Sequence, residues 1–171
     1  MGASQSTSSS PANHGRRYDV FISFRGGDTR DNITSHLYEA LCQKKIHSFI
    51  DYQLKRGDAI SPALRKAIEE SRISIVIFSK DYASSKWCLR ELAEIIKYKK
   101  MNKQIVIPVF YGVDPSHVRK QTGSFEDSFV QHEKEYGGEV KIWREALTEA
   151  ANLSGWDSSV VRELKQLKAF S

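Results

Sequence analysis

Four short runs of the chain are rich in apolar residues on both faces, the third almost continuously: Tyr18 to Phe24, Ile46 to Ile50, Ile73 to Phe78 and Gln104 to Tyr111. A strand with one wet face alternates apolar and polar residues. Strands that are apolar at consecutive positions are covered on both faces, as in a parallel sheet. Helix-period segments lie between the runs. Ile33, Leu37, Ala40 and Leu41 space one that ends near Lys44 or Lys45. Ser61-Pro62 opens another, with proline at its first position and Leu64, Ala67 and Ile68 turned inward. A third runs from Lys86 to about Lys100. This alternation defines an α/β chain, a parallel sheet with helices on both faces. With right-handed crossovers the expected strand order is the flavodoxin-like 2-1-3-4-5.

Beyond Tyr111 the pattern loosens. Asp114-Pro115 marks a turn, and helices are expected over Phe125 to Tyr136 and Val140 to Leu153, with a fifth, edge strand near Leu153 to Trp156. Val160, Val161, Leu164, Leu167 and Phe170 form a last amphipathic stripe over 158–171, without a cap, expected to lead into a further domain. Residues 1–16, rich in serine, are expected to be a disordered leader, so the folded domain is assigned to 17–157. With 171 residues, 40% of them hydrophobic, one good core can be buried.

Several classes fall away on composition. No apolar run approaches the ~20 residues a membrane helix needs. Met1 to Ser6 fits the N-myristoylation pattern at Gly2, but one acyl chain anchors only marginally, so membrane contact is expected only if Gly2 is acylated. Cys42 and Cys88 form no disulfide framework and are expected as reduced thiols of a cytoplasmic protein, with the nucleus as a second compartment. The five histidines show no metal-ligand spacing. A net charge of +5 suits acidic ligands, phosphates included, and equally a solvated basic face.

One helix carries the candidate chemistry. At about 100° per residue, Cys88, Leu92, Ile95 and Ile96 share an arc and Leu89 extends one edge. Glu91 falls at the other edge, half against the core, while Glu94 points to water. A partly desolvated carboxylate is a candidate for chemistry; an edge glutamate paired with a lysine fits the same spacing. In an open parallel sheet, ligands bind beyond the carboxyl ends of the strands where the order reverses. There the first-strand loop, Arg25 to Arg30, meets the Ser79 to Lys86 segment that delivers Glu91, and the loop containing Gly57 lies on the same rim. A bare Gly26-Gly27 turn with solvated arginines is the competing reading. A phosphoacceptor receiver needs aspartates after strands one and three, where this chain has Phe24-Arg25 and Ser79-Lys80. Phosphate-loop and dinucleotide fingerprints are absent as well.

The strings YDVFISFRGGDTR, FIDYQLKRGDAISPALRKAIEESRISIVIFS, YASSKWCLRELAEI, VIPVFYGVDPSHVRKQTGSF and WREALTEAANLSGW resemble, in order, the plant TIR domain. That module opens intracellular immune receptors carrying a nucleotide-binding domain and leucine-rich repeats. The resemblance spans Tyr18 to Trp156. Gly27 departs from a usual acidic or proline residue, and Tyr52 from a usual aspartate.

The resemblance implies NAD+ or NADP+ as substrate, with no cofactor and no metal. Glu91 matches the catalytic glutamate; Arg25, Gly26, Gly27, Asp28, Thr29, Arg30 and Gly57 match NAD-contacting loops. The implied products are nicotinamide and ADP-ribose, or cyclised and rearranged ADP-ribose signals for defence and cell death. The matching cysteine, Cys88, is reported in some relatives to act on nucleic acid; a buried core thiol is preferred here, and no nucleic-acid partner is required. Trp87 is assigned to core rather than to the base. Ser35, His36 and Gly155 match self-association contacts, so other TIR domains are the expected partners. The alternative is a non-enzymatic scaffold that signals only through such contacts.

Overall fold

The computed structural model describes residues 17–29, 33–50 and 60–153. Four parallel strands lie in the order β2-β1-β3-β4: β1 Tyr18–Ser23, β2 Ser48–Ile50, β3 Ser71–Phe78 and β4 Ile105–Phe110. This matches the expected order through the fourth strand. The stretch assigned to a fifth strand lies, past Leu153, outside the described residues, as do the leader and the C-terminal stripe. No helix among the described residues is long and apolar enough to cross a membrane.

Both sheet faces are packed, which is why the strands carry so few polar residues. On one face Val20, Ile22, Phe24, Ile75, Ile77 and Val109 meet Ile33, Leu37 and Leu41. The last two belong to α2, Ser35–Gln43. The alternate residues Phe21, Val76, Phe78, Val106 and Phe110 face the other way. They pack against α3 (Pro62–Glu69), α4 (Lys86–Asn102) and α6 (Ser124–Asn152).

Local chemistry sets the helix ends. The Ser61 side chain caps α3 by accepting from the Leu64 amide, and Pro62 follows at a position where its missing N–H costs nothing. Ser85 caps α4 in the same way, accepting from the Cys88 amide. That helix ends at Lys103, whose φ of 53° puts it in the left-handed region.

Three features differ from the pattern-based expectation. β1 ends before Arg25 as expected, but within the expected loop the Gly26–Thr29 segment is one helical turn, α1. Asp114-Pro115 opens a short helix, α5 (Pro115–Lys120), with the Asp114 carboxylate accepting from the Ser116 amide at 2.8 Å. The two helices expected after Phe125 are joined into α6 across a kink at Gly137, where φ is 6° and ψ −77°.

Candidate active site

The carboxyl end of β1 and the first turns of α4 meet where the strand order reverses, between β1 and β3. Between β3 and α4 a 3-10 turn, Tyr82–Ser84, brings Tyr82 under both. Tyr82 is fully buried and stacks edge-on against Phe78. Its phenol donates to the Cys88 carbonyl at 3.1 Å and lies 2.9 Å from Ser23 Oγ. A carbonyl can only accept and the phenol has one proton, so Ser23 donates to Tyr82. The Cys88 thiol, also buried, donates to the Phe24 carbonyl at 3.6 Å. Burial, then the neighbouring Cys88 and Glu91, push the Tyr82 phenol well above its ordinary range, although the Ser23 bond pulls the other way. The phenol is therefore neutral at any physiological pH.

These contacts fix the position of Glu91. It sits on α4 three residues past Cys88 and is half-buried, while Cys88, Leu89, Leu92, Ile95 and Ile96 are buried. Phe24, which Cys88 touches, immediately precedes Arg25. The glutamate helix and the arginine turn thus belong to the same end of the sheet. Glu94 does not stand in water as its angle implied. Its side chain is only 18% exposed, and Arg65 Nε of α3 lies 3.5 Å away. The helical angle places Glu94 correctly relative to its own helix; the packing of α3 against α4 supplies what covers it.

The first-strand turn is held from within. Both the amide and the hydroxyl of Thr29 donate to the Arg25 carbonyl, and Thr34 Oγ1 donates to Thr29 Oγ1 at 2.8 Å. Thr29 is sealed from solvent, so its hydroxyl serves the turn. Gly26 is half-buried and Gly27 exposed, with open space where a Cβ at Gly27 would sit. Asp28 lies on the same helical turn. Arg25 is half-buried, and its Nε is shut off from solvent with no hydrogen-bond partner among the described residues. Arg30, Gly57 and Gly155 lie outside the described residues. Ser35, half-buried, opens α2 and His36 beside it is exposed.

Arg25 lines a cleft of about 460 Å³ with Ser84, Ser85, Lys86, Trp87 and, from α6, His132 and Tyr136 among others. Trp87 is therefore not core, contrary to its assignment from the sequence: it is half-buried on this cleft, with Lys86 Nζ and the Arg90 guanidinium 5.7 and 5.5 Å from its ring. Glu91 is not among the residues lining the cleft. His132, unremarked in the sequence, is buried against Phe129, Tyr136 and Trp143, and its Nε2 lies 2.7 Å from the Ala83 carbonyl. That contact ties α6 to the turn that carries Tyr82. Arg90 makes a second tie through two bonds of 3.0 and 2.9 Å to the Glu139 carboxylate. No cluster that could hold a metal ion occurs among the described residues.

A doubly covered parallel sheet, with a carboxylate helix tethered to the first-strand loop at its switch point, defines the class of this domain. Residues 17–168 match the TIR domain family, and the chain belongs to it. The chain is 54% identical over 154 residues to Disease resistance protein RPV1 of Vitis rotundifolia, covering 90% of this chain and 11% of that protein. It is 55% identical over 142 residues to TMV resistance protein N of Nicotiana glutinosa, covering 81% and 12%. The chain thus spans 11–12% of the length of these two relatives. Among solved structures it resembles the TIR domains of the activated Roq1 resistosome that directly recognises the pathogen effector XopQ. The TM-score there is 0.81 at 46% identity, covering 90% of this chain and 98% of that one. A Toll-related receptor TIR domain from Hydra magnipapillata shares the fold, at 18% identity and a TM-score of 0.50.

Proposed function

We propose that this TIR domain is an NAD(P)+ nucleosidase of plant innate immune signalling, with Glu91 as its catalytic carboxylate. The observation that carries the reading is the tether of α4 to the end of β1, which puts half-buried Glu91 and Arg25 at one end of the sheet. In NAD+ the nicotinamide is already a cationic leaving group. When its bond to the ribose C1′ breaks, the bonding electrons go to the ring nitrogen and neutral nicotinamide departs. No general acid is needed. The ribose is left with oxocarbenium character, and negative charge held beside it lowers the barrier. Water adds at C1′ and loses a proton to give ADP-ribose; attack by an internal nucleophile gives a cyclic product instead. One carboxylate suffices for this chemistry, and Glu91 is that group.

Arg25 is assigned to the pyrophosphate. Its guanidinium lines the cleft and carries the positive charge that a pyrophosphate needs. Arg30 and Gly57 are proposed to complete the contact, together with Gly26, Gly27 and Asp28 as further NAD-contacting loop residues. Thr29 contributes by holding that turn closed. The domain is further proposed to work as a self-association with other TIR domains through Ser35, His36 and Gly155. The resemblance to TIR domains taken from an activated resistosome supports this reading. A cytoplasmic location follows from the same reading, with the nucleus as a second compartment.

The test is nicotinamide release from NAD+ by purified protein over a range of concentrations and with a crowding agent. Turnover per protomer is expected to rise with concentration and to vanish in Glu91→Ala. A folded, self-associated protein that releases no nicotinamide would overturn the enzymatic reading and leave a TIR scaffold.

A further inference from the structure

We propose that Tyr82 is a positioning residue for the Glu91 chemistry: its hydroxyl is the joint that sets the glutamate helix against the arginine turn. The inference rests on the nucleosidase reading and adds to it a residue that never meets the substrate.

Three observations carry it. The hydroxyl bridges Ser23, the last residue of β1, and Cys88, in the first turn of α4, at 2.9 and 3.1 Å. All three residues are buried, so water cannot stand in for the bridge. The carbonyl that receives the proton points along the helix axis toward Leu92, the residue after Glu91, so the bond grips α4 at the turn that matters. Ser23 lies two residues before Arg25. A single polar atom therefore couples the two groups proposed to act on the sugar and on the phosphates.

The ring and the hydroxyl have separable duties. The ring fills space against Phe78 at a centroid distance of 5.0 Å, while only the hydroxyl makes the bridge. Tyr82→Phe keeps the first and removes the second. It takes away the acceptor of the Ser23 hydroxyl and the donor to the Cys88 carbonyl in a dry site, and the first turn of α4 is released to shift. Displacements of about 1 Å remote from the chemistry cost up to ~100-fold in rate. Since the Cys88–Phe24 contact survives in the variant, a loss of ~10-fold is expected.

The experiment compares wild type with Tyr82→Phe at matched concentration, measuring kcat and KM for NAD+ and amide hydrogen exchange. The expected result is kcat reduced ~10-fold with KM within about twofold. Exchange at Thr29, Cys88 and Leu89 should quicken ~10-fold while β3 amides keep their protection. An unchanged kcat with unchanged exchange overturns the proposal, and so does a uniform rise in exchange, which marks a general loss of stability. If wild type itself releases no nicotinamide, the nucleosidase reading fails, and the exchange pattern alone decides whether the joint exists. Should Tyr82→Phe not fold, Ser23→Ala removes the outer donor alone, and the same local pattern at smaller amplitude is expected; its absence overturns the proposal.

Discussion

Arg90, next to Glu91 in the chain, offers a quantitative test of how α4 is held. Its guanidinium makes two bonds to Glu139, two residues past the Gly137 kink of α6, and lies 5.5, 5.5 and 6.0 Å from the rings of Trp87, Tyr136 and Trp143. The Arg90 side chain is 14% exposed and that of Glu139 45%. A hydrogen bond involving charge contributes ~1.5–3 kcal/mol when well buried, whereas exposed ion pairs contribute ~0–1. With one partner nearly half in solvent, a coupling of ~1 kcal/mol is expected. The aromatic contacts add ~0.5–1 kcal/mol each at partly exposed sites, and not independently. Arg90→Ala should therefore cost ~2–3 kcal/mol and Glu139→Ala ~1 kcal/mol. Urea unfolding of wild type, both single variants and the double variant closes the cycle, with equal m-values required for the comparison. Contacts that Arg90 makes elsewhere cancel in the cycle. Strict additivity, to within ~0.3 kcal/mol, would refute the claim that this pair ties α4 to α6.

Two further predictions concern the frame around the site. Gln104 is buried, and its amide donates to the Ile68 and Glu69 carbonyls at 3.2 and 2.7 Å, closing the C-terminal end of α3; Gln104→Ala should cost ~1–3 kcal/mol in urea unfolding, and a loss below ~0.5 would show those carbonyls need no partner. The Asp114 carboxylate is held below its ordinary value of 3.8, first by the Ser116 hydroxyl and then by the Ser116 amide. A carboxylate with a depressed folded pKa stabilises the fold above its unfolded pKa, and the contribution fades as pH falls through the folded one. Asp114→Asn should therefore lower the thermal midpoint near neutrality and narrow its gap to wild type below about pH 4; parallel curves down to about pH 2 would refute the assignment.

Much of the frame was legible because burial on both faces leaves an unmistakable mark. Ile75, Val76, Ile77 and Phe78 are all buried, alternating between two cores, and such a run has no other comfortable place. The start of α3 was readable from Ser61-Pro62, a cap whose chemistry is entirely local. By contrast, α5 buries only Val118, so it has no apolar period to detect. Glycines 26 and 27 suggested an irregular loop after the first strand, yet the chain there takes one helical turn, closed by bonds to the Arg25 carbonyl.

The site divides along the same line. The half-burial of Glu91 follows from its angle on one helix and was available from spacing alone. Trp87 was assigned to core, but it sits in the first turn of α4, on a cleft rather than under a layer. Little in the local sequence marks Tyr82, because its bridge reaches back 59 residues to Ser23 and forward six to Cys88. An aromatic residue in the short connection between β3 and α4 is the hint that was there to read. Arg65 beside Glu94, and His132 against Ala83, are likewise products of packing between distant elements.

The most direct measurement of the central claim is nicotinamide release from NAD+ by wild type and by Glu91→Gln, at equal concentration and with both proteins shown to be folded. The substitution keeps the size and polarity of the side chain and removes its charge. A charge aimed at the developing cation contributes ~100–1,000-fold in kcat, so Glu91→Gln should lose at least two orders of magnitude. Turnover by the variant within about threefold of wild type would contradict the account, since the negative charge at that position would then have no part in breaking the bond.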